Sequence, residues 1–111
     1  MRTAKKARLL RLHFSEDDRY GGKPLYEAVV ARCQELGIAG ATVFRGLEGF
    51  GETAELHRKH LVHSDRPIVV TIVDTAENVE RLIPELEAII GTGVMATSDV
   101  EAIRIEKRPP G

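Results

Sequence analysis

The 111 residues include one cysteine, Cys33. A lone thiol excludes an internal disulfide framework and fits a reducing compartment. Its spacing places it on the buried face of a helix, where a thiol packs and does not react. A dominant charge is also missing. The formal net charge is −1, so no basic field draws the chain to nucleic acid, and no nucleic-acid partner is expected. No stretch approaches the length of a membrane span. The start, Met1-Arg2-Thr3-Ala4-Lys5-Lys6, is basic and Leu9-Leu10 follow. Arg8, Arg11 and His13 interrupt that apolar run, and no small-residue cleavage site follows, so a cytoplasmic protein is expected. Internal repeats and low-complexity segments are absent. The glycines near residue 46 lack the Lys-Ser/Thr pair of a phosphate-binding P-loop. No paired cysteines or His-Glu-x-x-His arrangement marks zinc. Ser15, Ser64 and Ser98 lack a nucleophile elbow, and Asp17-Asp18 and Asp74 with Glu77 read as a turn and a helix cap. An enzyme is therefore not expected; a small hydrolase or isomerase would need an acid/base cluster that the sequence does not show.

What remains is an ordinary globular composition, 42% hydrophobic and 30% charged. It fits one domain over residues 1–111, with a core at 8–106 and a polar tail at 107–111. A domain this small buries a limited core, so association with further copies would help it. Leu10, Leu12 and Phe14 alternate with Arg11 and His13, which predicts a half-buried strand from Arg8 to Phe14. A polar, turn-rich connection follows from Ser15 to Gly22. Leu25, Ala28, Val29, Cys33 and Leu36 form a helical stripe, with Pro24 in the first turn and Gly37 as the stop. Ile68 to Val73 is apolar on both faces, as in a strand covered on two sides, and a second subunit could supply one cover. Asp74 and Glu77 suggest a capping box for a second helix carrying Val79, Leu82, Ile83, Leu86, Ile89 and Ile90. Pro84 inside that helix predicts a kink or break. Val94–Thr97 reads as a short extended piece, Ser98-Asp99 as a turn, and Val100–Glu106 as a last strand with Ile103 and Ile105 inward. The order β-α-β-β-α-β is the α+β, ferredoxin-like plan: an antiparallel sheet with both helices on one face.

The stretch from Ala39 to Gly51 stands out. A β-branched and aromatic run passes into glycines at 46, 49 and 51, with Arg45 and Glu48 between. It reads as a strand leaving the sheet into an exposed loop where a ligand or second chain can approach the backbone. Glycine turns can form anion-binding concavities, and Arg45 could add a bidentate contact. The bland alternative is a loop exit in which Arg45 pairs with Glu48 or with an acid of a neighbouring subunit. Glu52 to Arg66 is highly charged, with room for a short helical turn around Ala54–His60. Loops of this length in compact domains are usually functional or mobile.

Gly22-Lys23-Pro24-Leu25-Tyr26, Gly37-Ile38-Ala39-Gly40-Ala41-Thr42-Val43-Phe44-Arg45-Gly46, Gly49-Phe50-Gly51, His57 and Asp65-Arg66-Pro67-Ile68-Val69-Val70 resemble the family called domain of unknown function 190. Val73-Asp74 and Pro84 fit the same pattern. The resemblance runs from about Leu9 to Ile105. It implies a PII-like fold, in which ferredoxin-like subunits form compact homotrimers. PII signalling proteins bind adenine nucleotides between subunits and contact a partner through a long loop between the second and third strands, here about Phe50 to Arg66. PII sequence motifs themselves do not match, so only the architecture transfers. Some relatives are encoded with or fused to fluoride-channel proteins, which hints at a membrane transport protein as partner.

The resulting expectations are specific. A small anionic ligand, with an adenine nucleotide as one candidate, is assigned to Arg45, Gly46, Gly49, Gly51 and Arg104. Arg104, Lys107 and Arg108 form a basic edge whose alternative reading is simple solubility. Glu52, Glu55, His57, Arg58 and Lys59 are assigned to the partner-binding loop. A competing reading is a trimeric metal-binding protein using His57, His60 and His63, with Glu52 or Glu55 completing the site.

Overall fold

The computed structural model describes residues 2–49 and 66–107. The first strand, β1, spans Arg2–Ser15. Its alternation is as expected: Leu10, Leu12 and Phe14 are fully buried. It starts well before the apolar pattern does. Arg2 to Ala7 carry no apolar stripe, yet their backbone pairs with residues 105 to 100 of the last strand. A backbone ladder needs no apolar face, so this segment left no periodic trace in the sequence.

A two-residue ladder follows inside the expected polar connection, with β2 at Arg19–Tyr20 and β3 at Lys23–Pro24. Helix α1 spans Leu25–Glu35 and buries Leu25, Val29 and Cys33. Gly37, at φ +73°, stops it. The Gly37 N–H donates to the Gln34 carbonyl and the Ile38 N–H to the Cys33 carbonyl, the double closure of a Schellman motif. Strand β4 spans Thr42–Arg45 and β5 spans Pro67–Asp74.

Helix α2 spans Ala76–Glu87. Two expectations change here. Its cap is Thr75, whose hydroxyl accepts from the Asn78 N–H, and not Asp74 with Glu77. Pro84 does not break it. The helix runs through Pro84, which has no N–H to give the Glu80 carbonyl, and the Pro84 carbonyl accepts from the Ala88 N–H. Val79, Leu82, Leu86 and Ile89 hold the apolar face together across that point.

Strand β6 is continuous over Val94–Ile105, with no turn at Ser98-Asp99. Asp99 lies opposite Arg8 in the ladder, and its carboxylate accepts from Arg8 Nε at 3.1 Å. Cross-strand pairing absorbs residues that look like turn formers. Ile103 and Ile105 are not inward: they are 51% and 71% exposed. They lie on the part of β6 that pairs with Arg2–Ala4, outside the buried core.

The four long strands form one antiparallel sheet in the order β4-β5-β1-β6. Leu10, Leu12, Phe14, Ile68, Val70 and Ile72 pack from one face against Leu25, Val29, Cys33, Val79, Leu82 and Leu86 of the helices. On the opposite face lie Leu9, Val69, Thr71 and Val73, none of them fully buried. No described element of this chain covers that face.

Candidate functional site

Two places carry the cationic residues singled out by sequence, and they differ in how much of their chemistry is already used. The first is the exit of β4. Arg45 lies opposite Ile68 in the ladder. Its Nη2 meets Glu16 Oε2 at 2.5 Å, so within the chain its partner is Glu16. Glu16 is itself held, its N–H donating to the Arg66 carbonyl at 2.9 Å. The Gly46 N–H donates to the Pro67 carbonyl at 2.7 Å. A Cβ on Gly46 would stand 2.6 Å from Pro67 Cγ, and one on Gly49 3.3 Å from it. Gly46 is therefore required by close approach to Pro67. It is not one of the described glycines at positive φ, which are Gly21, Gly22 and Gly37. Gly51 lies outside the described residues.

Also outside them are Glu52, Glu55, His57, Arg58, Lys59, His60 and His63, so both the partner-loop assignment and the histidine metal site fall beyond what the structure describes. Among the described residues no three His, Cys, Asp or Glu side chains gather as a metal site. Burial pushes the Cys33 thiol up to about 11, so at neutral pH it is not a thiolate nucleophile.

The second place is at the far end of the sheet. A groove of about 450 Å³ opens beside the β1–β6 ribbon. Register explains its lining. Thr3 lies opposite Arg104, Lys5 opposite Ala102, and Leu9 opposite Val73. Alternation then puts Thr3, Lys5, Ala7, Ala102, Arg104 and Val73 on one face, the face without helices. The alanines make a low floor. Ala39, Asp74 and Thr75 close one end, and Lys6 and Glu106 border it.

Asp74 shapes that end wall. Its carboxylate accepts from the Ala39 N–H at 2.9 Å, the Thr75 N–H at 2.6 Å and Asn78 Nδ2 at 2.9 Å. Burial pushes its pKa up, but these hydrogen bonds and the nearby Lys5 charge outweigh burial and hold it below the ordinary 3.8. Arg104 is 80% exposed, and its Nε meets Glu106 Oε1 at 2.8 Å. The Lys5 charge acts on the Asp74 carboxylate from the same groove. The sequence marks Arg104 as a basic edge but gives no sign that Lys5 stands beside it. Only the β1–β6 register joins residues so far apart in the chain.

With the sheet order, the one-sided helices and the uncovered face in hand, the architecture is that of PII-like, ferredoxin-like proteins. The apo form of CPII, a nitrogen regulatory PII-like protein from Thiomonas intermedia K12, superposes with a TM-score of 0.61 at 18% identity, over 95% of this chain and all of that one. CPII bound to ADP and bicarbonate gives 0.60 at 21% identity, over 90% of this chain and 91% of that one. TTHA0516, a PII-like signalling protein from Thermus thermophilus, gives 0.63 at 15% identity, over 89% and 90%. At these identities the likeness is one of fold. Sequence narrows it further. The profile of the family DUF190 (Uncharacterized ACR, COG1993) matches residues 7–102. A UPF0166 protein of Aquifex aeolicus is 40% identical over 105 residues, 93% of this chain and 98% of that protein. The UPF0166 protein MJ1524 of Methanocaldococcus jannaschii is 31% identical over 104 residues, 91% and 95% of the two chains. The chain belongs to the DUF190 family.

Proposed function

We propose that this chain is a PII-like regulator and not an enzyme. It works in the cytoplasm as a homotrimer and binds a small anionic ligand, an adenine nucleotide first among candidates, at clefts between subunits. One observation carries the reading: the fold is shared, over nine-tenths of the chain, with a PII-like protein solved with ADP and bicarbonate. The assembly has separate support. Phe44 and Val73, 55% and 38% exposed, stand on the sheet face that no described element covers. A further copy burying that face would gain apolar contact that one small domain lacks.

In this reading the 50–66 segment contacts a partner protein, with a membrane transport protein as the candidate. Ligand and partner are coupled only as far as the ligand binds one state of that segment better than another. No helix among the described residues is long and apolar enough to cross a membrane. The test has two parts. Light scattering should give three chain masses. Calorimetry with ATP, ADP, AMP and cyclic nucleotides should give saturable heat for at least one. A monomer with no heat from any of them overturns the reading.

A further inference from the structure

We infer that His13 makes the association of copies through the open sheet face sensitive to acid. The assembly holds while this imidazole is neutral and comes apart when it takes up a proton. The inference rests on the homotrimer reading above and adds the group that controls it.

Register sets His13 in an apolar row. It lies opposite Val69 on one side and Val94 on the other, and Val69 lies in turn opposite Phe44. These side chains stand on the face away from the helices, because Leu12 and Phe14, the chain neighbours of His13, are buried on the helix side. The next row is Thr42, Thr71, Arg11 and Ala96, and beyond it come Val73, Leu9 and Ser98. Across these three rows the titratable side chains are Arg11 and His13, and no acid shares the rows with them. Asp99 points to the helix side, where it and Glu80 hold Arg8. Lys5, Arg104 and Glu106 belong to the groove at the far end of the ribbon.

An apolar patch with little charge has the composition of a contact between like chains. A second copy laid against it nevertheless brings cation towards cation in any register, since the patch has no acid to offer. Arg11 has a long stem and can carry its guanidinium to the edge of the contact. His13 is short and already half-buried, with a valine on either side. A covering copy strips the water from its ring. A neutral imidazole tolerates that, whereas an imidazolium without a facing carboxylate does not.

The sign follows from proton counting. Assembled copies bind fewer protons than separated ones, so acid favours separation. Each excluded proton raises the dissociation constant by up to about tenfold per pH unit. Histidine is the side chain that changes charge between about pH 5 and 8. That window lies above the pH at which Asp74, held below 3.8, gives up its charge.

Light scattering over a dilution series of the full chain, at about pH 7.5 and about pH 5.5, tests this with wild type, His13→Gln, His13→Leu, Arg11→Gln and Phe44→Lys. Wild type should hold three chain masses near neutrality and associate at least about tenfold more weakly in acid, with circular dichroism showing each copy still folded. His13→Gln and His13→Leu should stay assembled at both pH values. They retain His57, His60 and His63, so an acid response that survives in them lies elsewhere and overturns the inference. Arg11→Gln should tighten association at both pH values and keep the acid response. Phe44→Lys should give single folded chains near neutrality; if it assembles as wild type does, the copies meet on another face and the inference is lost. A wild-type mass unchanged in acid removes His13 as the control and leaves the homotrimer standing. A folded wild-type monomer near neutrality removes both.

Discussion

At the Pro67 end of the sheet, Arg45 rests on Glu16, Gly46 donates to Pro67, and the backbone of Glu16 is tied to Arg66. At the other end, Lys5 shares a groove with the Asp74 carboxylate without a hydrogen bond to it, and Arg104 meets one exposed carboxylate. Both places offer an arginine and a change in the course of the chain. They differ in whether their polar groups are satisfied from within. A satisfied cluster fixes backbone geometry, and its removal costs stability. An unsatisfied one contributes little to folding and is free to bind. Charge and glycine content alone rank the first place higher; the accounting of partners reverses the order.

The largest effect expected on folding is at Asp74, the fixed wall of the open groove. Asp74→Ala removes an acceptor from three donors and should destabilise by about 2–3 kcal/mol in urea unfolding. Asp74→Asn gives the pH test. A carboxyl held below 3.8 in the folded state contributes fully above that pH, and the contribution is lost as pH falls through the lowered value. The stability gap between wild type and Asp74→Asn should thus be constant near neutrality and close progressively below 3.8. A gap that persists unchanged in acid would show that the Asp74 charge is not part of the wall.

Next in size is Gly46→Ala. A Cβ at 2.6 Å from the Pro67 ring must move either that ring or the β4 exit, against a 2.7 Å hydrogen bond between the same two residues. Overpacking of this kind costs about 1–2 kcal/mol. If Gly46→Ala were neutral in unfolding but weakened ADP binding, the exit would be a ligand site after all.

How much of this could be read from the chain follows from what leaves a periodic trace. The alternation of Leu10, Leu12 and Phe14, the helical stripe ending at Gly37, and the doubly apolar Ile68–Val73 run gave the element order and the buried face. These residues are selected by burial, and burial repeats with the element's own period. Arg2–Ala7 and Ser98-Asp99 failed to show as strand because cross-strand pairing, not burial, holds them. The capping of α2 by Thr75 was masked by an adjacent Asp74 that serves Ala39 as well. At the candidate site, Arg104 was legible as a basic edge. Its neighbour Lys5 was not, since their meeting depends on a register between the two ends of the chain. The glycines at 46 and 49 were legible as important, but the reason, contact with Pro67, depends on how the two strands meet.

The smallest effects on stability separate the two places most cleanly. Arg45→Ala removes an ion pair to a half-buried Glu16 and should cost about 1 kcal/mol. Lys5→Ala removes an exposed side chain whose charge reaches Asp74 without a hydrogen bond, and should change unfolding by no more than about 0.5 kcal/mol. Ligand affinity should follow the opposite order, with the larger loss at Lys5. A single measurement cannot establish this, because a destabilised variant can lose binding by losing its fold. The crossed pattern can: the variant that melts earlier binds normally, and the variant that melts normally binds poorly. Were Lys5→Ala to lower stability as much as Arg45→Ala does, Lys5 would be engaged in folding, and the groove would be as closed as the strand exit.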